Sequence, residues 1–106
     1  MSVPILKNNF PSILSQTSSP IIIEFFATWC PKCAMMTPVY ERIASKLSPG
    51  VLFYKVDIDI SENETKHLGI EIVPTFVFFQ NNQILGYTVG VISEQQLTQR
   101  ILECIK

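Results

Sequence analysis

Cysteine is too scarce in this chain to staple it, and charge is too scarce to dominate it. Three cysteines among 106 residues cannot make an even disulfide framework. Charged residues are only 16% of the chain and the formal net charge is -1, so the basic footprint of a nucleic-acid binder is missing. No apolar run approaches the ~20 residues of a membrane span. The longest, Ile21 to Ala27, is short and carries Glu24. A secretory leader needs a basic start and an apolar stretch of ~7–15 residues, and Pro4, Lys7, Asn8 and Asn9 interrupt any such stretch. The expectation is a soluble cytoplasmic protein in a reducing compartment, where a close cysteine pair is catalytic or metal-binding more often than a permanent staple. There is no internal repeat and no linker. What is present in quantity is core material, 47% hydrophobic and 10% aromatic, which argues against disorder. The length suits one domain, so residues 1–106 are read as a single unit.

The hydrophobic pattern predicts the element order βαβαβαββα. Val3 to Leu6 reads as an edge strand, since Pro4 is tolerated only there. Asn8 or Asn9 is placed to cap a short helix through about Ser15. Ile21 to Phe26 is apolar without alternation, as in a strand buried on both faces. Pro31 to Leu47 has Met36, Val39, Tyr40, Ile43 and Leu47 on one stripe, with Pro38 expected to kink the helix. Val51 to Ile58 is a further strand, and Ser61 to His67 a short helix closed by Gly69. Thr75 to Phe79 and Ile84 to Val89 read as a hairpin around Gln80-Asn81-Asn82-Gln83. Ser93 and Gln96 form a capping box for a last helix with Leu97, Ile101, Cys104 and Ile105 on its buried stripe. Early alternation of strand and helix predicts an α/β fold with parallel pairing and helices on both faces, and the closing hairpin makes the sheet mixed.

The chemistry concentrates at Cys30-Pro31-Lys32-Cys33, after a buried strand and at the start of a helix. Cysteines three apart on a first turn lie on one side, so their sulfurs can reach bonding distance. Unpaired N–H groups and the helix dipole favour a thiolate there. Pro31 suits a turn that has no use for its missing donor, and Lys32 adds a cation that tunes the thiolate. Cys30, at the tip, is the expected nucleophile, and Cys33, one turn inside, the resolving thiol. A zinc half-site is the competing reading, but zinc takes four ligands as a rule, and the other candidates, Cys104 and His67, lack ligand spacing. Two inert core cysteines are the third reading.

From these residues outward the chain resembles the thioredoxin family along nearly its whole length. Phe26-Ala27-Thr28-Trp29-Cys30 and Pro31-Lys32-Cys33 match the active-site stretch, and Met36-Thr37-Pro38 the kinked helix. Lys55-Val56-Asp57-Ile58-Asp59 matches the next strand, Ile72-Val73-Pro74-Thr75-Phe76 the loop whose proline is cis in the family, and Val89-Gly90 with Ser93 and Gln96-Leu97 the end of the sheet and last helix. The resemblance implies thiol–disulfide exchange with protein disulfides, in which Cys30 attacks and Cys33 resolves. It implies that Trp29, Val73, Pro74 and Gly90 receive the substrate backbone, that no tightly bound cofactor or metal is needed, and that an NADPH-dependent flavoenzyme, thioredoxin reductase, recharges a monomeric carrier. Competing readings are a glutathione-dependent, glutaredoxin-like oxidoreductase, suggested by Pro31, and a thioredoxin-fold binding or chaperone subunit.

Two departures from the family pattern carry expectations. Typical members have Gly-Pro between the cysteines, so Lys32 is expected to make the potential somewhat more oxidising than the usual ~-270 mV. Glu24 stands where the family often has a buried aspartate. Burial would raise its pKa and let it exchange a proton with Cys33, and the alternative is a structural pair with Lys55 or a carboxylate reaching solvent. Cys104 is read as a buried structural thiol, His67 as a surface histidine, Met36 as core, Met35 as lying near the substrate face, and Glu62 and Glu64 as a solvated helix start.

Overall fold

A computed structural model describes residues 3–7 and 10–105. Its elements are β1 (Ile5–Leu6), α1 (Phe10–Ile13), β2 (Ile21–Phe26), α2 (Pro31–Leu47), β3 (Leu52–Asp57), α3 (Glu62–His67), β4 (Thr75–Gln80), β5 (Gln83–Val89) and α4 (Glu94–Cys104). The strands form one sheet in the order β1-β3-β2-β4-β5. β1 and β2 run parallel to β3, and β4 is antiparallel to both β2 and β5. The expected order and mixed pairing are therefore present.

β2 is central because its sequence can be covered from both sides. Ile21, Ile23 and Phe25 enter a core with Phe10, Leu14, Val56, Val77 and Phe79, on the side of α1 and α3. Ile22 turns the other way, with Met36, Tyr40 and Ile43 of α2, Phe76 and Phe78 of β4, and Leu97 and Ile101 of α4. Each such side chain contributes about 1.5–3 kcal/mol by leaving water. Tyr40 pins α2 to the sheet: its hydroxyl lies 2.9 Å from the Ile22 carbonyl oxygen and 2.8 Å from that of Tyr54. With one hydrogen it donates to one of them at a time.

Several boundaries are tighter than the sequence suggests. β1 keeps only Ile5–Leu6 of the expected Val3–Leu6, and the Pro4 carbonyl accepts from Lys55 N–H at 2.9 Å. α1 stops at Ile13 rather than Ser15, and its expected asparagine cap at positions 8–9 lies outside the described residues. β3 loses Val51 and Ile58 at its ends. α2 runs unbroken through Pro38. The hairpin turn falls on Asn81 (φ 54°) and Asn82 (φ 64°), the left-handed pair that a two-residue turn requires. At α4 the Ser93 hydroxyl accepts from Gln96 N–H at 3.1 Å, but the Gln96 side chain meets that hydroxyl rather than the Ser93 N–H, so the box closes on itself. Cys104 is half-buried, not fully buried, because it lies in the last turn of α4 against the edge strand β5.

Candidate active site

The site forms where β2 ends and α2 begins. Cys30 is the N-cap of α2, with extended backbone (φ -98°, ψ 110°), and its sulfur accepts the Cys33 N–H at 3.2 Å. Pro31 occupies the first helical position, where no donor is lost. The helix N-terminus thus presents a free amide to the Cys30 sulfur, an arrangement that a negative charge there would use. Both cysteines are free thiols. Cys30 is 8% exposed and Cys33 4%, so the asymmetry between them is not chiefly one of access. It is one of environment. Burial pushes the Cys33 thiol up to about 12, and contact with Cys30 and the nearby charge of Glu24 push the same way. Lys32 is exposed.

Two loops frame the sulfurs. The Cys30 thiol faces the Val73 carbonyl oxygen at 3.8 Å, and the Val73–Pro74 peptide is cis. Gly90, at φ 85° where a β-carbon would be strained, donates its N–H to the Pro74 carbonyl at 2.8 Å. Val73 thus stands against Cys30, with Pro74 next to it and Gly90 hydrogen-bonded to Pro74. Trp29 is 65% exposed, and its indole N–H donates to Asp59 at 2.9 Å. Asp59 in turn donates its backbone N–H to the Asp57 carboxylate at 2.9 Å. Asp59 had no role in the sequence reading, because nothing along the chain links positions 30 residues apart. The only sequence cue was its place at the end of a matched strand.

Glu24 is 1% exposed, and neither carboxylate oxygen has a hydrogen-bond partner. Burial raises it from 4.5 to about 7, and the charge of Lys55 opposes that rise. Lys55 stands opposite Glu24 in the β2–β3 register, yet its ammonium lies 4.5 Å from the centroid of the Phe26 ring. The two feel each other electrostatically without an ion pair of contact distance among the described residues. Of the two readings of Glu24, the geometry offers a buried, titratable acid and no contact pair. No group of three or more histidine, cysteine or acidic residues among the described residues could hold a metal ion, so Cys104 and His67 do not complete a zinc site with the pair.

The sequence profile of the Thioredoxin family matches residues 2–103. The chain belongs to the thioredoxin family. It is 35% identical over 88 residues to thioredoxin H4 of Arabidopsis thaliana, an alignment that covers 83% of this chain and 73% of that one. It is 32% identical to thioredoxin-1 of Caenorhabditis elegans, over 95% of this chain and 87% of that one. The solved structure of Plasmodium falciparum thioredoxin superimposes with a TM-score of 0.88 at 30% identity, over 97% of this chain and 100% of that one. The architecture is the thioredoxin fold, a five-stranded mixed sheet with four helices, and Cys30 and Cys33 occupy the family's active-site position. The protein is a thiol–disulfide oxidoreductase of the protein-disulfide type. Membership implies disulfide-bearing protein substrates and reductase partners in general. No helix among the described residues is long and apolar enough to cross a membrane.

Proposed function

We propose that this chain, as one domain over residues 1–106, is a monomeric cytoplasmic protein-disulfide reductase and electron carrier, recharged by an NADPH-dependent thioredoxin reductase. The observation that carries this is the Cys33 N–H aimed at the Cys30 sulfur at 3.2 Å, with Cys33 itself held protonated.

Cys30 attacks one sulfur of the substrate disulfide, and the substrate's second cysteine leaves as a thiolate and takes a proton. Trp29, Val73, Pro74 and Gly90 receive the substrate backbone around this mixed disulfide. Glu24, ionised in about half the molecules near pH 7, accepts the proton of Cys33. The Cys33 thiolate then attacks Cys30, and the substrate departs fully reduced. Two electrons have left the dithiol, which is now the Cys30–Cys33 disulfide. Lys32, exposed between the two cysteines in sequence, adds a screened positive charge to this turn.

The test is turnover of a protein disulfide with NADPH, supplied either with thioredoxin reductase or with glutathione and its reductase. Turnover with the first pair is expected, and turnover only with the second would overturn the reading. Cys33→Ser should stall as a covalent mixed disulfide with substrate, and Cys30→Ser should form none. Glu24→Gln should slow resolution and remove its dependence on a group titrating near 7. An unchanged rate and pH profile would dismiss Glu24 as the proton acceptor.

A further inference from the structure

The resolving step leaves two residues beside Glu24 without a part, Phe26 and Lys55. Both project from the sheet on the same side as Glu24, because Phe26 lies two residues beyond it on β2 and Lys55 stands opposite it on β3. Neighbouring strands lie about 4.8 Å apart, so the long stem of Lys55 could carry its ammonium across to the carboxyl. It does not. The ammonium lies 4.5 Å from the centroid of the Phe26 ring, within the ~6 Å reach of a cation over an aromatic face. Both carboxylate oxygens of Glu24 remain without a hydrogen-bond partner. Phe26 and Lys55 are partly exposed, whereas Glu24 is almost fully buried. Over the ring the ammonium keeps part of its water. Reaching the carboxyl would strip that water, a cost that a buried ion pair recovers only with good geometry and further hydrogen bonds.

The ring also packs against the cluster of Ala27, Cys30 and Cys33, so it adjoins both the redox turn and the cation. The other titratable groups around the carboxyl are already engaged. From α2, Cys33 and Tyr40 feel the charge of Glu24, and burial keeps both protonated in the resting dithiol. From β3, Asp57 stands opposite Phe26, and its carboxylate accepts the Asp59 N–H at 2.9 Å. β1 and β4 set Ile5 beside Lys55 and Phe76 beside Glu24 and bring no charge there. Lys55 is thus the cation whose placement sets how firmly the carboxyl holds a proton.

We propose that Phe26 is a positioning residue for the resolving step: its ring holds the Lys55 ammonium away from Glu24 and leaves the carboxylate free to take the proton of Cys33. This rests on Glu24 being the proton acceptor, and it names the residue that keeps the acceptor unpaired. The step itself is unchanged. The Cys33 proton passes to a Glu24 oxygen, the Cys33–Cys30 bond forms as the bond from Cys30 to the substrate sulfur breaks, and the substrate leaves with that electron pair.

The experiment mixes the reduced full chain with one equivalent of dithiobis(nitrobenzoate) from pH 5 to 9. The first thionitrobenzoate released reports attack by Cys30, and the second reports resolution by Cys33. In the wild-type protein the second phase should follow a group titrating near 7. In Phe26→Leu the ammonium is free to close on the carboxylate, so the midpoint should fall to about 6 or below. The rate at high pH should drop as well, because a carboxylate in contact with a cation is the weaker base. Phe26→Tyr keeps the aromatic face and should keep the wild-type midpoint. Phe26→Leu combined with Lys55→Met should match Lys55→Met alone, since without the ammonium the ring has nothing to hold. A Phe26→Leu midpoint that stays or rises, or a shift that survives Lys55→Met, would overturn the role of Phe26 alone. A wild-type profile that Glu24→Gln leaves unaltered would overturn the reading beneath it. Proton NMR of the wild-type chain gives a check that needs no variant. The ring current should move the Lys55 ε-methylene upfield of the other lysines, with Overhauser contacts to the Phe26 ring. Contacts to the Glu24 side chain in their place would overturn the proposal.

Discussion

Replacing Glu24 with glutamine should strongly change the pH dependence of stability between pH 4 and 8. The carboxyl moves from 4.5 in the unfolded chain to about 7 in the folded one, because burial disfavours its charge. Below 4.5 both states carry the proton. Between 4.5 and 7 the folded state keeps a proton that the unfolded state has lost, so stability falls as pH rises. Above 7 the loss is complete and amounts to about 3 kcal/mol, a large share of the ~5–15 kcal/mol typical of a domain. Glutamine is neutral throughout and keeps nearly the same shape. The variant should therefore match the wild-type protein below about pH 4, exceed it by about 1 kcal/mol near pH 5 and by about 3 kcal/mol near pH 8. In urea, with a slope of about 1–3 kcal/mol/M, the midpoint should move by about 1–3 M at pH 8 and by about a quarter of that at pH 5. Subtracting the two profiles removes every other titrating group. Parallel profiles across pH 5–8 would refute the claim that Glu24 is an uncompensated buried acid. Lys55→Met, which removes the opposing charge, should carry the wild-type transition above pH 7.

Three further outcomes follow from the same structure. Iodoacetamide at pH 7 should label Cys30 and spare Cys33, whose thiol is pushed up to about 12; comparable labelling of both in a peptide map would contradict the assigned asymmetry. Gly86→Ala should cost about 1–3 kcal/mol in denaturant unfolding, since its β-carbon would meet the Cys104 sulfur at 2.9 Å, and Cys104→Ala should recover most of that loss. Lys32→Gly should lower the reduction potential by only about 10 mV in a glutathione redox titration, because the ammonium is exposed and its field is screened; a shift several times larger would show a closer coupling to the pair.

The fold was legible where the sequence contained a local physical rule. The doubly buried β2, the proline-started α2 and the asparagine turn at Asn81 and Asn82 each follow from residues within a few positions of one another. So did the cysteine pair, because a redox turn is local by construction. The carboxyl of Glu24 was legible as buried, because five apolar neighbours left it no polar side of the strand. What stayed hidden depended on contacts across the sheet. The Lys55 ammonium turns to the Phe26 ring rather than to the carboxylate, and the Trp29 indole finds Asp59. Cys104 reads as core on its helical stripe, yet α4 ends over an edge strand, where the residue is only partly buried. The exposed stripe of β5 was hidden for the same reason: Ile84, Tyr87 and Val89 look like core residues until the covering chain is seen to stop at β4.

The two buried acids also constrain one another. A charge on Glu24 raises the cost of ionising Cys33, so a pocket holding both charges is the most unfavourable of its states. A pocket holding one charge costs far less, whichever group bears it. Passing the Cys33 proton to an ionised Glu24 moves the charge from carboxylate to sulfur and leaves its total unchanged. Releasing that proton to solvent instead would leave two charges where one is already costly. An unpartnered Glu24 is therefore the better acceptor, because a contact pair with Lys55 would stabilise its charge and lower its basicity. The cation over Phe26 is close enough to hold the carboxyl near 7 and too far to quench it.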